Sequence, residues 1–116
     1  MSFESQIRDG VCVLRLQGRF LTGSDAELVT ARDFLREIGI SRAVLDLSAV
    51  PYLDSTGLAF VVELHKSLAG RGGQLFLADA TRRVREVLEM TRIGEIIPLF
   101  QDVEDAEAAL RREVLC

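Results

Sequence analysis

Phe3, Ser5 and Ile7 alternate with Glu4, Gln6 and Arg8, the two-residue period of a strand with one covered face. Asp9-Gly10 interrupts, and Val11 to Gln17 resumes as a β-branched and leucine-rich run, which predicts an N-terminal β-hairpin. After Gly18 and Arg19-Phe20-Leu21, Ser24 and Glu27 stand at capping-box spacing, so a helix is expected to start here. Leu28, Ala31, Leu35 and Ile38 give it one apolar stripe, and Gly39 supplies a terminating turn. Ala43 to Leu47 is an apolar run of strand length, followed by a connection from Ser48 to Leu53 that contains Pro51. Behind Asp54-Ser55-Thr56-Gly57, a second helix has Leu58, Val61, His65 and Leu68 on one face. Phe60, Val62 and Leu64 fill much of the rest, so it is expected to be the most buried helix. Gly70-Arg71-Gly72-Gly73 ends it.

Gln74 to Ala78 is apolar on both faces, as a strand covered on both sides requires. Thr81 is placed to cap a third helix with Val84, Val87 and Leu88 inward, and Asp102 to cap a last one through Val103, Ala106 and Leu110. Ile96 to Phe100 reads as an edge strand, because Pro98 cannot donate to a ladder. A hairpin followed by α-β-α-β-α-(β)-α predicts an α/β (α+β mixed) domain with a mixed sheet and right-handed crossovers.

With 116 residues, 48% hydrophobic and 28% charged, the chain has the size and composition of a single domain over residues 1–116. Its net charge of −4 argues against a phosphate-backbone binder, so no direct nucleic acid binding is expected. The first residues lack the basic and apolar regions of a secretory signal, and no run approaches the ~18 apolar residues of a membrane span. Membrane insertion is therefore not expected. Cys12 and Cys116 belong to no close-spaced cysteine or histidine cluster, which fits reduced thiols, a cytoplasmic location and no metal or cofactor.

The inventory of reactive residues is short. Ser55 and His65 could suggest a nucleophile and base, but ten residues of one helix separate them by ~15 Å of rise, so they cannot hydrogen-bond. His65 reads as a packed side chain. No phosphate-cradling glycine motif occurs, since Gly70-Arg71-Gly72-Gly73 follows a helix rather than joining strand to helix. Arg82, Arg83 and Arg85 read as a solvated face, and Phe3, Phe20, Tyr52, Phe60, Phe76 and Phe100 as packing residues. There remains Asp54-Ser55-Thr56-Gly57-Leu58 at the entrance of the buried helix. Asp and Ser are preferred helix caps, which accounts for them structurally. The functional reading is a switch hydroxyl, because a phosphoserine adds about −1.5 to −2 charge that a helix N-terminus tolerates and a docked partner does not.

At these residues the chain resembles the anti-sigma factor antagonist family, whose domain is called STAS. The resemblance rests on Leu45-Asp46-Leu47-Ser48-Ala49-Val50-Pro51-Tyr52-Leu53-Asp54-Ser55-Thr56-Gly57-Leu58 and on Gly72-Gly73-Gln74-Leu75. It continues through Val84-Arg85-Glu86-Val87-Leu88-Glu89-Met90-Thr91 and Asp105-Ala106-Glu107-Ala108-Ala109-Leu110. It implies a single STAS-like domain, a mixed sheet of about four or five strands with about four helices mainly on one side. It also implies a partner switch. The unmodified antagonist binds an anti-sigma factor serine kinase and frees a sigma factor; phosphorylation releases it, and a serine phosphatase resets it. Carried onto this chain, Ser55 is the phosphoacceptor, Asp54 positions its hydroxyl, and Asp54, Ser55, Thr56, Gly57 and Leu58 form the partner-binding surface.

Two departures stand out. Leu21 occupies a place where family members often carry aspartate, and Ala59 and Arg92 replace common glycines, neither at a turn expected to need positive φ. Two other functions are weighed against the switch. One is a constitutive STAS module of a lipid-transporting ATP-dependent complex or a stress-signalling scaffold, indifferent to charge at Ser55. The other is an enzyme using Ser55 as nucleophile, which has neither a reachable base nor an oxyanion arrangement, so no enzymatic activity is expected.

Overall fold

Asp9 and Gly10 adopt φ of 53° and 79°, the paired positive values that close a two-residue hairpin between β1 (Ser2–Arg8) and β2 (Val11–Gln17). The two strands pair antiparallel over their whole length, Ser2 opposite Gln17 and Arg8 opposite Val11. The structure, a computed structural model, describes residues 2–17 and 25–115, apart from the side chains of residues 2, 25–28 and 113–115. The expected Ser24–Glu27 capping pair, the Leu28 side chain, Phe20, Leu21 and Cys116 lie outside the described residues.

From β2 the chain runs through α1 (Asp25–Glu37), β3 (Arg42–Ala49), α2 (Ser55–Ala69), β4 (Gln74–Ala78), α3 (Arg82–Met90), β5 (Leu99–Phe100) and α4 (Val103–Leu115). Among the described residues the sheet has five strands in the order β1-β2-β3-β4-β5, and every pair after the hairpin is parallel. The strands advance in one direction with α1, α2 and α3 on one face, so all three crossovers share one hand.

Strand periodicity divides the core into two layers. Cys12, Leu14, Leu16, Leu45, Leu47, Leu75 and Leu77 point to the face covered by α1, α2 and α3. Val11, Val13, Val44, Phe76 and Ala78 point to the other, where α4 lays Ala106 and Leu110. Helices are thus mainly on one side, three to one. Glu107, only 3% exposed, fixes α4 beside the hairpin through ion pairs with Arg8 Nη2 at 3.3 Å and Arg111 Nη1 at 3.5 Å. Such a partly covered pair orders the helix against the turn more than it adds to stability.

The expected punctuation marks are in place. Ile40 N–H donates to Leu35 O and Gly39 N–H to Arg36 O, both at 3.1 Å, with Gly39 at φ 71°. That is the Schellman finish of α1. The same pair closes α2, where Gly73 N–H reaches Leu68 O at 2.8 Å and Gly72 N–H reaches Ala69 O at 3.0 Å. Thr81 Oγ1 accepts from Val84 N–H at 3.4 Å, and Asp102 Oδ1 from Asp105 N–H at 2.8 Å, capping α3 and α4.

Three expectations are corrected. The edge strand shrinks from 96–100 to Leu99–Phe100, because a 3-10 turn at Ile93–Glu95 consumes the Ile96 and Ile97 amides, which both donate to Ile93 O. Pro98 still serves the sheet through its carbonyl, which accepts from Leu77 N–H at 2.9 Å. In α2 the buried stripe is Gly57, Phe60, Val61, Leu64 and Leu68, whereas Leu58, Val62 and His65 are half-buried. The helix is turned by about one residue from the expected face, since both of its faces are apolar enough to compete. Finally, Arg92 does occupy a left-handed turn, at φ 59° and ψ 21°. It follows the C-cap Thr91 of α3, the position where helices commonly reverse hand, and the absence of glycine there concealed it. Ala59, by contrast, lies within α2 and is exposed. Arg92→Gly is therefore expected to stabilise the domain by about 1 kcal/mol in urea denaturation, by relieving the Cβ penalty of the left-handed backbone.

Cys12 is fully buried in β2, and loss of solvation raises its thiol pKa from 9.0 to about 11. In the unfolded chain the thiol ionises first, so its contribution to stability is complete below about pH 9 and is lost as pH rises toward 11. Iodoacetamide at pH 8 is expected to spare Cys12 in the native protein and label it in urea, read from the peptide that carries it.

Candidate functional site

The loop that leaves β3 turns immediately. Val50 N–H donates to Leu47 O at 3.1 Å, and Ser48 N–H to the Asp46 carboxylate at 2.9 Å. Val50 and Leu53 drop into the core while Pro51 stays exposed, so two apolar anchors hold a short loop at the carboxyl end of a central parallel strand. Open α/β sheets present their binding elements at this end.

Asp54 is the N-cap of α2, with extended backbone at φ −103° and ψ −170°. Its Oδ1 accepts from Gly57 N–H at 3.0 Å and its carbonyl from Leu58 N–H at 3.0 Å. The carboxylate is thereby engaged by the first turn of its own helix. Asp54→Ala is expected to cost about 1 kcal/mol in urea denaturation, and Asp54→Asn much less, because asparagine caps as well.

Ser55 is the first residue of α2 and is exposed. Thr56 and Leu58 beside it are half-buried, Leu58 packing against the core edge, and Gly57 is buried. The five residues expected to act together are contiguous at one helix entrance, with Ser55 outermost. No acidic residue lies in the first turn of α2, so the Asp54 carboxylate alone offsets the positive end of the helix dipole. The Ser55 and Thr56 amides precede the first intrahelical donor, Leu58, and Gly57 is taken by Asp54. Among the described residues, two N–H groups therefore remain to receive added negative charge next to the Ser55 hydroxyl.

The remaining candidates fall elsewhere. His65 is on α2, ten residues past Ser55, half-buried, with a buried Nδ1 that has no hydrogen-bond partner among the described residues. Arg82, Arg83 and Arg85 are exposed on α3, and Arg82 Nε lies 3.3 Å from the Glu86 carboxylate. No group of His, Cys, Asp and Glu among the described residues could hold a metal ion. Among the described residues, no helix is long and apolar enough to cross a membrane. The sequence reading missed the buried loop anchors Val50 and Leu53, whose only signal was an apolar residue on either side of Pro51-Tyr52.

Hairpin, successive parallel crossovers and a serine at the entrance of the central helix define a small mixed α/β domain built round one presented helix end. The chain belongs to the STAS domain family, whose pattern it matches over residues 2–106. It is 32% identical over 103 residues to the protein named "Putative anti-sigma factor antagonist BtrV" of Bordetella bronchiseptica, covering 89% of each chain. A crystal structure of an anti-sigma factor antagonist from Mycobacterium paratuberculosis is similar at 25% identity and a TM-score of 0.81, covering 95% of this chain and 93% of that one. The Bacillus cell fate determinant SpoIIAA in its phosphorylated form shares the fold at 19% identity, with a TM-score of 0.68 and coverage of 95% and 98%.

Proposed function

We propose that this chain is an anti-sigma factor antagonist that works by partner switching, with Ser55 as the phosphoacceptor. Unmodified, the surface of Asp54, Ser55, Thr56, Gly57 and Leu58 binds an anti-sigma factor serine kinase in the cytoplasm, and a sigma factor is released. The kinase phosphorylates Ser55, the complex dissociates, and a serine phosphatase restores the free hydroxyl. The protein itself acts by binding and carries out no catalysis.

The observation that carries this reading is the exposed Ser55 hydroxyl at the first position of α2, beside a carboxylate already occupied by the Gly57 amide. A phosphate there is accommodated within the domain by the free Ser55 and Thr56 amides. Across a docked interface, the same phosphate stands next to Asp54 as a second, unpaired negative charge. The names of the relatives support the coarser part of this reading, an anti-sigma factor antagonist.

Affinity capture from the native host with Ser55→Ala and Ser55→Asp baits, side by side, tests the proposal. A kinase-type anti-sigma factor should come down with the alanine form and be absent from the aspartate form. If both baits bring down the same transporter or scaffold proteins, the domain is a constitutive adaptor and the Asp54-Ser55 pair is only a helix cap.

A further inference from the structure

We infer that the groove between α1 and α2, at the far end of α2 from Ser55, is a binding site for a phosphate-type oxyanion. The groove is a shallow, solvent-open depression of about 400 Å³, lined by Arg32 and Arg36 of α1, by Lys66 and Ser67 of the last turn of α2, and by Arg71 just beyond it. A single carboxylate, Glu63, shares it and lies 3.7 Å from Lys66 Nζ. In a chain of net charge −4, one small concavity thus holds four cations against one acid.

Among the described residues, Arg32 Nε and Arg71 Nη1 are both buried without a hydrogen-bond partner. Buried guanidinium donors are ordinarily paired, and the two arginines that line this groove each keep donor capacity that acceptor oxygens there would use. Among the described residues, none of Arg32, Arg36 and Arg71 has a carboxylate within ion-pair distance. Cations near helix ends commonly serve the last carbonyls, but here those are already occupied. Leu35 O and Arg36 O accept from Ile40 and Gly39, and Lys66 O, Leu68 O and Ala69 O accept from Gly70, Gly73 and Gly72. The positive charge of the groove is therefore left over after the helices have been capped.

The chemistry selects the ligand class. Guanidinium forks, an ammonium and a hydroxyl match a multiply charged tetrahedral oxyanion, whose oxygens accept several donors at once. Lys66 is eleven residues beyond Ser55, or ~16 Å along the helix, so a ligand held here does not touch the serine. The site stands whether or not Ser55 is a phosphoacceptor.

Inorganic pyrophosphate titrated into the ¹⁵N-labelled full chain tests the site, with sodium chloride at matched ionic strength as control. Saturable amide shifts are expected at Arg36, Lys66, Ser67, Gly70 and Arg71, and none at Ser55. Arg36 and Lys66 are exposed, so the double variant Arg36→Ala/Lys66→Ala should melt like the parent while binding at least tenfold more weakly. A parallel arm uses phosphatidylcholine vesicles with and without phosphatidic acid. Sedimentation that needs both phosphatidic acid and the two cations assigns the phosphate to a lipid headgroup, and pyrophosphate binding alone assigns it to a soluble ligand. Absence of saturable binding in both arms, or binding undiminished in the double variant, overturns the inference.

Discussion

Gly73→Ala is expected to destabilise the domain by about 3 kcal/mol, at the upper end of what overpacking costs. Gly73 brings α2 into β4 beside the residue that leads into β3. A Cβ at this position would collide with the carbonyl oxygen, carbonyl carbon and Cβ of Ser41. Neither side can easily give way. Gly73 N–H closes the Schellman turn of α2 on Leu68 O, and Gln74 N–H donates to Ser41 O at 2.9 Å, the first bond joining this segment to the sheet. Gly72 provides the contrast, because its φ of 76° is unfavourable for alanine but open space surrounds it. Gly72→Ala should cost only about 1 kcal/mol, the penalty of a left-handed backbone without a clash. Urea denaturation of the two variants separates steric from conformational cost. Equal losses would mean that the β3–β4 entrance yields to accommodate the methyl group.

Ser55→Asp is expected to weaken binding to the proposed anti-sigma factor partner by about a hundredfold or more, while leaving the fold intact. An unpaired charge in an interface costs several kcal/mol, and each ~1.4 kcal/mol is tenfold in affinity. An acid at the first position of a helix is slightly favourable to the domain itself, so Ser55→Asp should melt at or a little above the parent. That opposition distinguishes a switch from a damaged cap. Asp54→Ala loses stability through the Gly57 amide, whereas Ser55→Asp loses binding without losing stability. Titration calorimetry and a thermal melt on the same samples resolve both. Undiminished affinity in Ser55→Asp would place the partner surface elsewhere on the domain.

Most of this architecture is legible in local signals, because the features that shape it are local. Asp9-Gly10 makes a hairpin turn by backbone preference alone, and Gly39 and Gly72 end helices by adopting positive φ. Thr81, Asp102 and Asp54 cap helices through hydrogen bonds that span three residues. What stayed hidden depends on contacts distant in sequence. Which apolar face of α2 is buried follows from how the sheet and the neighbouring helices meet it, and periodicity pointed to the face of Leu58, Val61, His65 and Leu68 because apolar residues run most of the way round that helix. The shortening of the last strand follows from the turn made by Arg92, a residue that gives no warning of a left-handed backbone. The candidate site is contiguous, so it could be read as a unit. The α1–α2 groove could not, since Arg32, Arg36, Lys66 and Arg71 meet only when two helices pack.

The central claim is that Ser55 is the control point, and site mapping tests it most directly. The purified chain is incubated with ATP and the serine kinase captured by the Ser55→Ala bait, and the product is fragmented by mass spectrometry to distinguish Ser55 from the adjacent Thr56. The account predicts one phosphate per chain, on Ser55, and none on the Ser55→Ala protein. Phosphate on another residue, or an unmodified chain in the presence of an active kinase, would contradict it.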